Sequence, residues 1–184
     1  MQRYLLYVLA DCSGSMHGDP IELMESFIRE LHDDLMGDPQ SVEGAFLSVI
    51  TSNSEGIDVF PLKDVAEFRP PKLRAAGNSA FGAALNVLKD RIDSDEAMTK
   101  PVWKPIVFLL TGGTVIDDWV VAAEKLKQNE KCWFICIHCG AGAPPSELKQ
   151  VSECVLCRRD MTPDYFLGRN FFPWNDLDAE LEDS

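Results

Sequence analysis

The chain has 184 residues, 46% of them hydrophobic, and this length and composition are typical of one globular domain with a substantial core. Its formal net charge is −13, from 30 acidic and 17 basic residues. This charge argues against nucleic acid as a partner, because the few cations would not neutralise a row of phosphates, and it disfavours an anionic membrane surface. No apolar run reaches the ~20 residues that span a bilayer.

The N-terminus leads directly into an apolar segment and lacks the charged region and cleavage site of a signal peptide. We therefore expect a cytoplasmic protein whose six cysteines are reduced thiols. Residues 1–175 are expected to form the single domain. Residues 176–184 contain five acids and are expected to form an acidic C-terminal tail. No pattern in the sequence indicates an oligomeric state.

The first half of the chain predicts three strands and one long helix. Tyr4–Leu9 is continuously apolar, as in a strand that is covered on both faces. A helix over Pro20–Met36 follows, with Asp19 as its N-cap and an apolar face at steps of three and four. Val42–Thr51 is the second predicted strand. Gly56–Leu62 follows a short polar turn, which predicts a hairpin and an antiparallel third strand.

The second half alternates helices and strands. A helix begins at Ser79 and runs through Leu88, and a polar surface loop is predicted over Asp93–Lys104. The remaining predicted elements are a strand at Ile106–Leu110, a helix at Asp117–Lys127, a strand at Cys132–Ile137, a short helix at Ser146–Val151 and a sixth strand at Cys154–Leu156. This alternation predicts an α/β fold: a doubly wound, mostly parallel six-stranded sheet with one antiparallel edge strand and helices on both faces.

The loop after the first strand reads Asp11-Cys12-Ser13-Gly14-Ser15. One carboxylate and two hydroxyls, each two residues apart, are hard oxygen donors of the kind that Mg²⁺ prefers. Parallel sheets bind ligands at the carboxyl ends of their strands, where this loop lies. The D-x-S-x-S pattern, with its preceding strand and following helix, resembles the metal-ion-dependent adhesion site, or MIDAS, of von Willebrand factor A (VWA) domains, which have a Rossmann-like fold.

The resemblance covers residues 1 to about 160 and implies two further loops in the metal site. It implies Asp11, Ser13 and Ser15 as ligands from the first loop, and Ser79, in Gly77–Gly82, where the family usually has Thr. Asp19–Glu22 and Pro61-Leu62 also resemble the bacterial tellurium-resistance TerY-type proteins. That likeness implies a cytoplasmic, non-enzymatic protein-binding module of a bacterial stress-response system, in which a carboxylate of the partner fills the open metal position.

The third loop departs from the family pattern. Where the family reads Thr-Asp-Gly, this chain reads Thr111-Gly112-Gly113, so Asp11 is the one carboxylate left in the motif. Fewer anionic ligands lower cation affinity. We therefore expect Mg²⁺, or Mn²⁺, to bind weakly or only together with a partner. Asp117 and Asp118 are candidate surrogate acids, although both also suit the start of a helix.

Two Cys-x-x-Cys pairs, Cys136/Cys139 and Cys154/Cys157, have zinc-like spacing. Residues three apart on a strand point to opposite faces, so each pair converges only if its strand ends between the two cysteines. A zinc clip between the ends of the fifth and sixth strands, with His138 as a spare ligand, is one interpretation. Buried free thiols are the other and the favoured one.

The sequence favours a protein-binding module that docks an acidic group of a partner protein through Mg²⁺. The alternative is a metal-free interaction scaffold with a degenerate metal site. A zinc-stapled variant and a hydrolase are less favoured. The chain has no G-x-S-x-G elbow and no histidine placed by sequence against Ser13 or Ser15, so no catalytic residues are predicted and the protein is not expected to be an enzyme. The side chain of Met16, beside the loop, either forms part of an apolar rim around the metal site or simply packs in the core.

Overall fold

A computed structural model describes residues 3–94, 103–112, 119–128, 132–152 and 154–161 of the chain. The strands in this part are β1 (Tyr4–Asp11), β2 (Ala45–Asn53), β3 (Gly56–Asp64), β4 (Ile106–Thr111), β5 (Trp133–His138) and β6 (Cys154–Cys157). The helices are α1 (Asp19–Gly37), α2 (Pro39–Gly44), α3 (Phe81–Ser94), α4 (Trp119–Gln128) and α5 (Leu148–Val151), with short 3-10 turns at Gly14–Met16 and Arg158–Asp160.

The six strands form one sheet in the order β3-β2-β1-β4-β5-β6. All neighbouring strands are parallel except β2 and β3, which form an antiparallel hairpin at one edge. The predicted fold class is confirmed. Because β1, β4 and β5 are adjacent and parallel, their carboxyl ends, and the loops that follow them, meet at one edge of the sheet.

Helices cover both faces of the sheet, and each face has its own apolar cluster. On one face α1 packs on β1 and β4, with the rings of Phe27 and Phe108 meeting edge to face at 5.4 Å. On the other face α3, α4 and α5 pack together, and Phe81 meets Trp119 at 5.5 Å. The central strands β1 and β4 are buried along almost their whole length, as their continuous apolar runs predict.

Several element boundaries differ from the prediction, such as the start of α3 at Phe81 instead of Ser79, and two of these differences have a clear local cause. The N-cap of α1 is Gly18, with φ of +88°, and Asp19 is the first helical residue rather than the cap. Gly18 takes this left-handed conformation at no steric cost, so the helix begins one residue earlier than expected. The second strand begins at Ala45 instead of Val42, because the carboxylate of Asp38 accepts the Ser41 N–H at 2.9 Å and caps α2.

Some predictions fall on residues outside the described part of the chain. These are most of the loop after α3, the start of the helix at residues 117–118 and the acidic tail 176–184. The domain limits therefore stay a prediction. None of the helices that the structure describes combines the length and the apolar character needed to cross a bilayer.

Phe108 is the clearest test of the core, because its side chain is fully buried in β4 and contacts Phe27. We expect Phe108→Ala to lower the free energy of unfolding by about 3–5 kcal/mol through lost burial and a residual cavity. Val121→Ala, at a position that is 51% exposed, should change it by less than about 0.5 kcal/mol. Urea unfolding measures both, and equal effects would contradict this account of the core.

Candidate metal-binding site

The β1 loop is folded around the carboxylate of Asp11. Asp11 is buried, and its Oδ1 accepts the backbone N–H of Ser13 at 3.0 Å. The 3-10 turn at Gly14–Met16 then brings the Oγ atoms of Ser13 and Ser15 to 3.0 Å from each other. Ser13 is buried whereas Ser15 is exposed. The loop therefore presents three oxygen-bearing side chains in one cluster that solvent, and a docking group, can reach.

The segment before α3 is joined to this loop by backbone hydrogen bonds. The Gly14 N–H donates to the Gly77 carbonyl at 2.8 Å, and the Ala76 N–H donates to the Cys12 carbonyl at 2.9 Å. Gly77 has φ of +60°, which favours glycine at this close approach. Two residues later, the Oγ of Ser79 is buried and has no hydrogen-bond partner. Ser79 is thus held close to the β1 loop with an unsatisfied oxygen.

The third loop contributes Thr111 but no acid. The Thr111 hydroxyl donates to Asp11 Oδ2 at 3.4 Å, and the Gly112 N–H donates to the Met16 Sδ at 3.1 Å. A Cβ at position 112 would lie 2.8 Å from that Sδ and 3.1 Å from the Cβ of Pro20. Met16 is buried, so its side chain packs into the interior instead of forming an exposed rim. The space that a side chain at position 112 would need is taken by Met16.

A row of polar side chains crosses the sheet at the level of Asp11. The strand register pairs Asp11 with Ser52 and Thr111 with His138, and it places Thr111 beside Asp11. Each of the four residues comes two positions after a member of the apolar cluster under α3 and α4, so all four side chains lie on that face. All four are buried. Sequence reasoning missed this row, because it depends on strand register.

His138 is the least satisfied member of the row. It is 3% exposed, and neither ring nitrogen makes a hydrogen bond. Burial lowers the pKa of the imidazole, an effect that the Ala141 backbone opposes and Arg159 reinforces. The net effect of these surroundings is to favour the neutral form of the ring.

These residues fit a divalent cation of the hard type. Asp11 supplies a carboxylate, Ser13 and Ser15 supply hydroxyls, and the buried Ser79 Oγ is an oxygen that lacks a partner in the protein alone. The set carries one negative charge, so it balances half of the charge of Mg²⁺ or Mn²⁺. The structure places Asp11, Ser13 and Ser15 in one loop and joins this loop by backbone hydrogen bonds to the segment that carries Ser79. Asp117 and Asp118 lie outside the described residues.

The four cysteines of the zinc interpretation do not converge. Alternation along β5 and β6 puts Cys136 and Cys157 on one face of the sheet and Cys154 on the other, while Cys139 joins the apolar cluster under α1. No group of three histidine, cysteine or acidic side chains that would suit a metal occurs among the described residues. All six cysteines are free thiols, and Cys12, Cys132, Cys136 and Cys139 are buried. The free-thiol interpretation therefore fits the structure and the zinc clip does not.

Comparison with known proteins agrees with the fold. A sequence model of the von Willebrand factor type A domain matches residues 6–162. The mouse "von Willebrand factor A domain-containing protein 2" is 29% identical over 129 residues, which cover 67% of this chain and 16% of that protein. The chain thus spans about a sixth of this curated relative.

Solved structures show the same architecture. The SpRpn10 VWA domain superposes with a TM-score of 0.63 at 16% identity, covering 94% of this chain and 96% of that one. Proximal thread matrix protein 1 from the mussel byssus, with a zinc-occupied MIDAS motif, has a TM-score of 0.62 at 22% identity, covering 90% of this chain and 47% of that one. At these identities the likeness concerns the fold alone.

The contact between Gly112 and Met16 gives a prediction for the third loop. We expect Gly112→Asp to lower the free energy of unfolding by about 1–3 kcal/mol, because its Cβ overlaps the Met16 Sδ. The double variant Met16→Ala/Gly112→Asp should lose less stability than the sum of the losses in the two single variants, since the truncated Met16 side chain leaves room for the acid. Gly56→Asp, at a position with nothing within 4 Å of its Cβ, is the control. Strict additivity in urea unfolding would contradict the overlap.

Burial predicts which thiols react. It raises the pKa of Cys12 to about 12, an effect that the adjacent Asp11 charge reinforces, and it raises the pKa values of Cys132, Cys136 and Cys139 to about 12 as well. In native protein at pH 8 we expect a disulfide reagent to modify only the half-buried Cys154 and Cys157 rapidly, and all six after denaturation. Mass spectrometry of the labelled peptides identifies them, and rapid labelling of Cys12 would contradict this order.

Proposed function

Because this chain belongs to the von Willebrand factor type A family, we propose that it is a metal-ion-dependent protein-binding module. Domains of this family are generally interaction modules. The proposed docking point is the cation held by Asp11, Ser13, Ser15 and Ser79. The observation that carries the proposal is the Ser79 Oγ, which is buried without a partner in the segment that is hydrogen-bonded to the β1 loop. A cation at this point would give that oxygen the partner it lacks.

The charge of the site indicates what kind of partner group would dock. Asp11 is the one carboxylate in the four-residue set, so a bound divalent cation keeps an excess positive charge. An acidic side chain of another protein would neutralise that charge and fill an open coordination position. Basic or neutral groups would gain little there. We propose an aspartate or glutamate of a protein partner, bound at the exposed side of Ser15.

The same charge count bears on metal affinity. We propose Mg²⁺ or Mn²⁺ as the resident ion, bound weakly until the partner carboxylate joins the site, because anionic ligands are the main source of affinity for hard cations. The mussel byssus neighbour carries zinc in its MIDAS motif. That neighbour supports divalent-ion binding by this fold, and it leaves the identity of the ion in the present chain to experiment.

A metal-free scaffold is the second candidate, and one observation favours it. The Met16 side chain occupies the place where a third-loop acid would stand, and it accepts the Gly112 N–H. A protein that docks partners without a cation would tolerate this arrangement. Of the two candidates, the cation-dependent one accounts for the unsatisfied Ser79 oxygen. We propose no catalytic role for the site, because it holds no general base or oxyanion hole beside a nucleophile among the described residues.

The wider setting is also a proposal. Residues Asp19–Glu22 and Pro61-Leu62 support a role in a bacterial stress response of the tellurium-resistance type, for which we propose a cytoplasmic location. Tellurite survival of a strain that lacks the gene tests the first point. Cell fractionation tests the second.

The proposal predicts a metal-dependent gain in stability. Millimolar Mg²⁺ should raise the melting temperature of the wild type, by linkage worth about 1.4 kcal/mol when Mg²⁺ exceeds its Kd about tenfold. Ser79→Ala and Ser13→Ala should each remove most of this gain. Ser94→Ala, at the exposed end of α3, should keep it. No stabilisation of the wild type by Mg²⁺ or Mn²⁺, with or without an acidic ligand, would favour the metal-free scaffold.

The acidic group is tested with a matched pair of peptides. A short peptide that carries one glutamate should lower the apparent Kd for Mg²⁺, because the two ligands share the cation and their coupling is reciprocal. The same peptide with glutamine in its place should have no effect. Equal effects of the two peptides would contradict docking through a carboxylate.

A further inference from the structure

His138 is a buried imidazole that lies near the Ala141 backbone but makes no well-aligned hydrogen bond. The side chain is 3% exposed, and neither Nδ1 nor Nε2 makes a hydrogen bond. Buried polar groups in native proteins are nearly always paired, with protein or with ordered water, and an unpaired group asks for an explanation. The other buried histidine contact in the chain differs, since His32 Nε2 lies 3.1 Å from the Val65 carbonyl oxygen.

The position of His138 ties it to the metal site. It ends β5 and is the register partner of Thr111, whose hydroxyl donates to Asp11. The alternation of side chains puts His138, Thr111 and Asp11 on the same face, at the carboxyl edge of three adjacent strands. A group bound near Asp11 would therefore have His138 two strands away, with only the small Thr111 side chain between.

The imidazole also lies directly beside the third loop. A Cβ built on Gly140 would lie 2.8 Å from the His138 Cε1, and the same Cβ would overlap the carbonyl oxygen of Gly112. The His138 ring and the Gly112 carbonyl group thus both lie against Gly140. Gly112 is where the family resemblance puts an acid that this chain lacks. The imidazole therefore lies beside the backbone of the third loop, whereas a side chain at position 112 would point to Met16 on the other face of the sheet.

We propose that His138 accepts a hydrogen bond from a water molecule in the hydration shell of the bound cation, and so acts as a positioning residue at a site that lacks a third-loop carboxylate. This inference rests on the proposed function. Mg²⁺ usually keeps several of its waters in proteins, so a residue outside direct coordination still acts on it. Groups that orient the ligands of a metal typically change its affinity by about 10–100-fold. The neutral state of the ring, favoured by its burial, leaves one nitrogen lone pair free to accept.

A separate metal site built on His138 is the less favoured alternative. Cys157 is its register partner on β6 and is half-buried, which gives a histidine and a thiol side by side. Two ligands are too few for a structural metal, and the described residues hold no third one close by. The test therefore uses Mg²⁺, which thiols bind poorly, and includes a variant at Cys157.

The decisive comparison uses His138→Leu and His138→Gln. Without metal, His138→Leu should fold at least as stably as the wild type, because it removes an unpaired polar group of similar size. Its Kd for Mg²⁺ by calorimetry should nevertheless rise about tenfold or more. His138→Gln keeps a side-chain acceptor and should recover part of the affinity. A residue with a merely structural role would show the reverse: lower stability and unchanged affinity.

Controls separate this inference from the proposed function. His32→Leu removes a histidine far from the site that has a hydrogen bond, so it should lower stability and leave Mg²⁺ affinity unchanged. Cys157→Ser should leave Mg²⁺ affinity unchanged. In nitrogen-detected imidazole spectra of the three histidines, Mg²⁺ should shift the His138 signals and not those of His32.

The outcomes are distinct. If His138→Leu binds Mg²⁺ as tightly as the wild type, the role of His138 is wrong while metal-dependent docking stands. If Cys157→Ser loses affinity as much as His138→Leu, the ion lies in the histidine–thiol pair and the inference is wrong. If the wild type binds no Mg²⁺ even with the glutamate peptide, both the inference and the proposed function are wrong.

Discussion

The backbone hydrogen bonds between the β1 loop and the segment before α3 determine whether a site exists at all. Ser13 and Ser79 are more than sixty residues apart in the chain, and the contacts Gly14–Gly77 and Cys12–Ala76 bring their segments together. Both contacts are hydrogen bonds between peptide groups, so they depend little on side-chain chemistry. They depend strongly on the parallel sheet, which places the end of β1 at this edge. The side-chain oxygens can then vary, as the resemblance implies for Ser79 in place of threonine, while these backbone hydrogen bonds remain.

The charge of the four-residue set determines what the proposed site would bind. With Asp11 alone, the four-residue set leaves a divalent ion half neutralised, and an ion in that state attracts another anion more strongly than a fully balanced one would. Met16 reinforces this condition, because its thioether fills the space beside Gly112 and accepts the Gly112 N–H. Under the proposed function, low affinity for the ion alone and strong attraction of a partner carboxylate would both result from this geometry.

The sequence predicted the fold and the first loop well for a physical reason. Continuous apolar runs such as Tyr4–Leu9 have few structural alternatives, and the Asp11–Ser15 spacing fixes a loop at the end of one of them. The sequence-based prediction failed where a boundary depends on one local interaction or on strand register. The left-handed conformation of Gly18 lets α1 begin at Asp19, and the Asp38 carboxylate caps α2 where the sequence predicted the start of β2. The alignment of His138 with Thr111 and Asp11 is set by strand pairing across the sheet, which no single stretch of sequence encodes.

The distribution of unsatisfied polar atoms links stability to function. Among the described residues, Ser52, Ser79 and His138 each bury a polar atom without a partner, and all three lie at the carboxyl edge of the sheet around Asp11. An apolar edge of the same shape would fold more stably, since unpaired buried groups are unfavourable. Part of this cost lies where a hydrated cation would interact with the unpaired atoms, while the unpaired Trp103 Nε1 and Arg158 Nε do not belong to the row around Asp11. Under the proposed function, ion binding would offset this cost, and the free energy gained would appear as differential affinity for the ion-bound state.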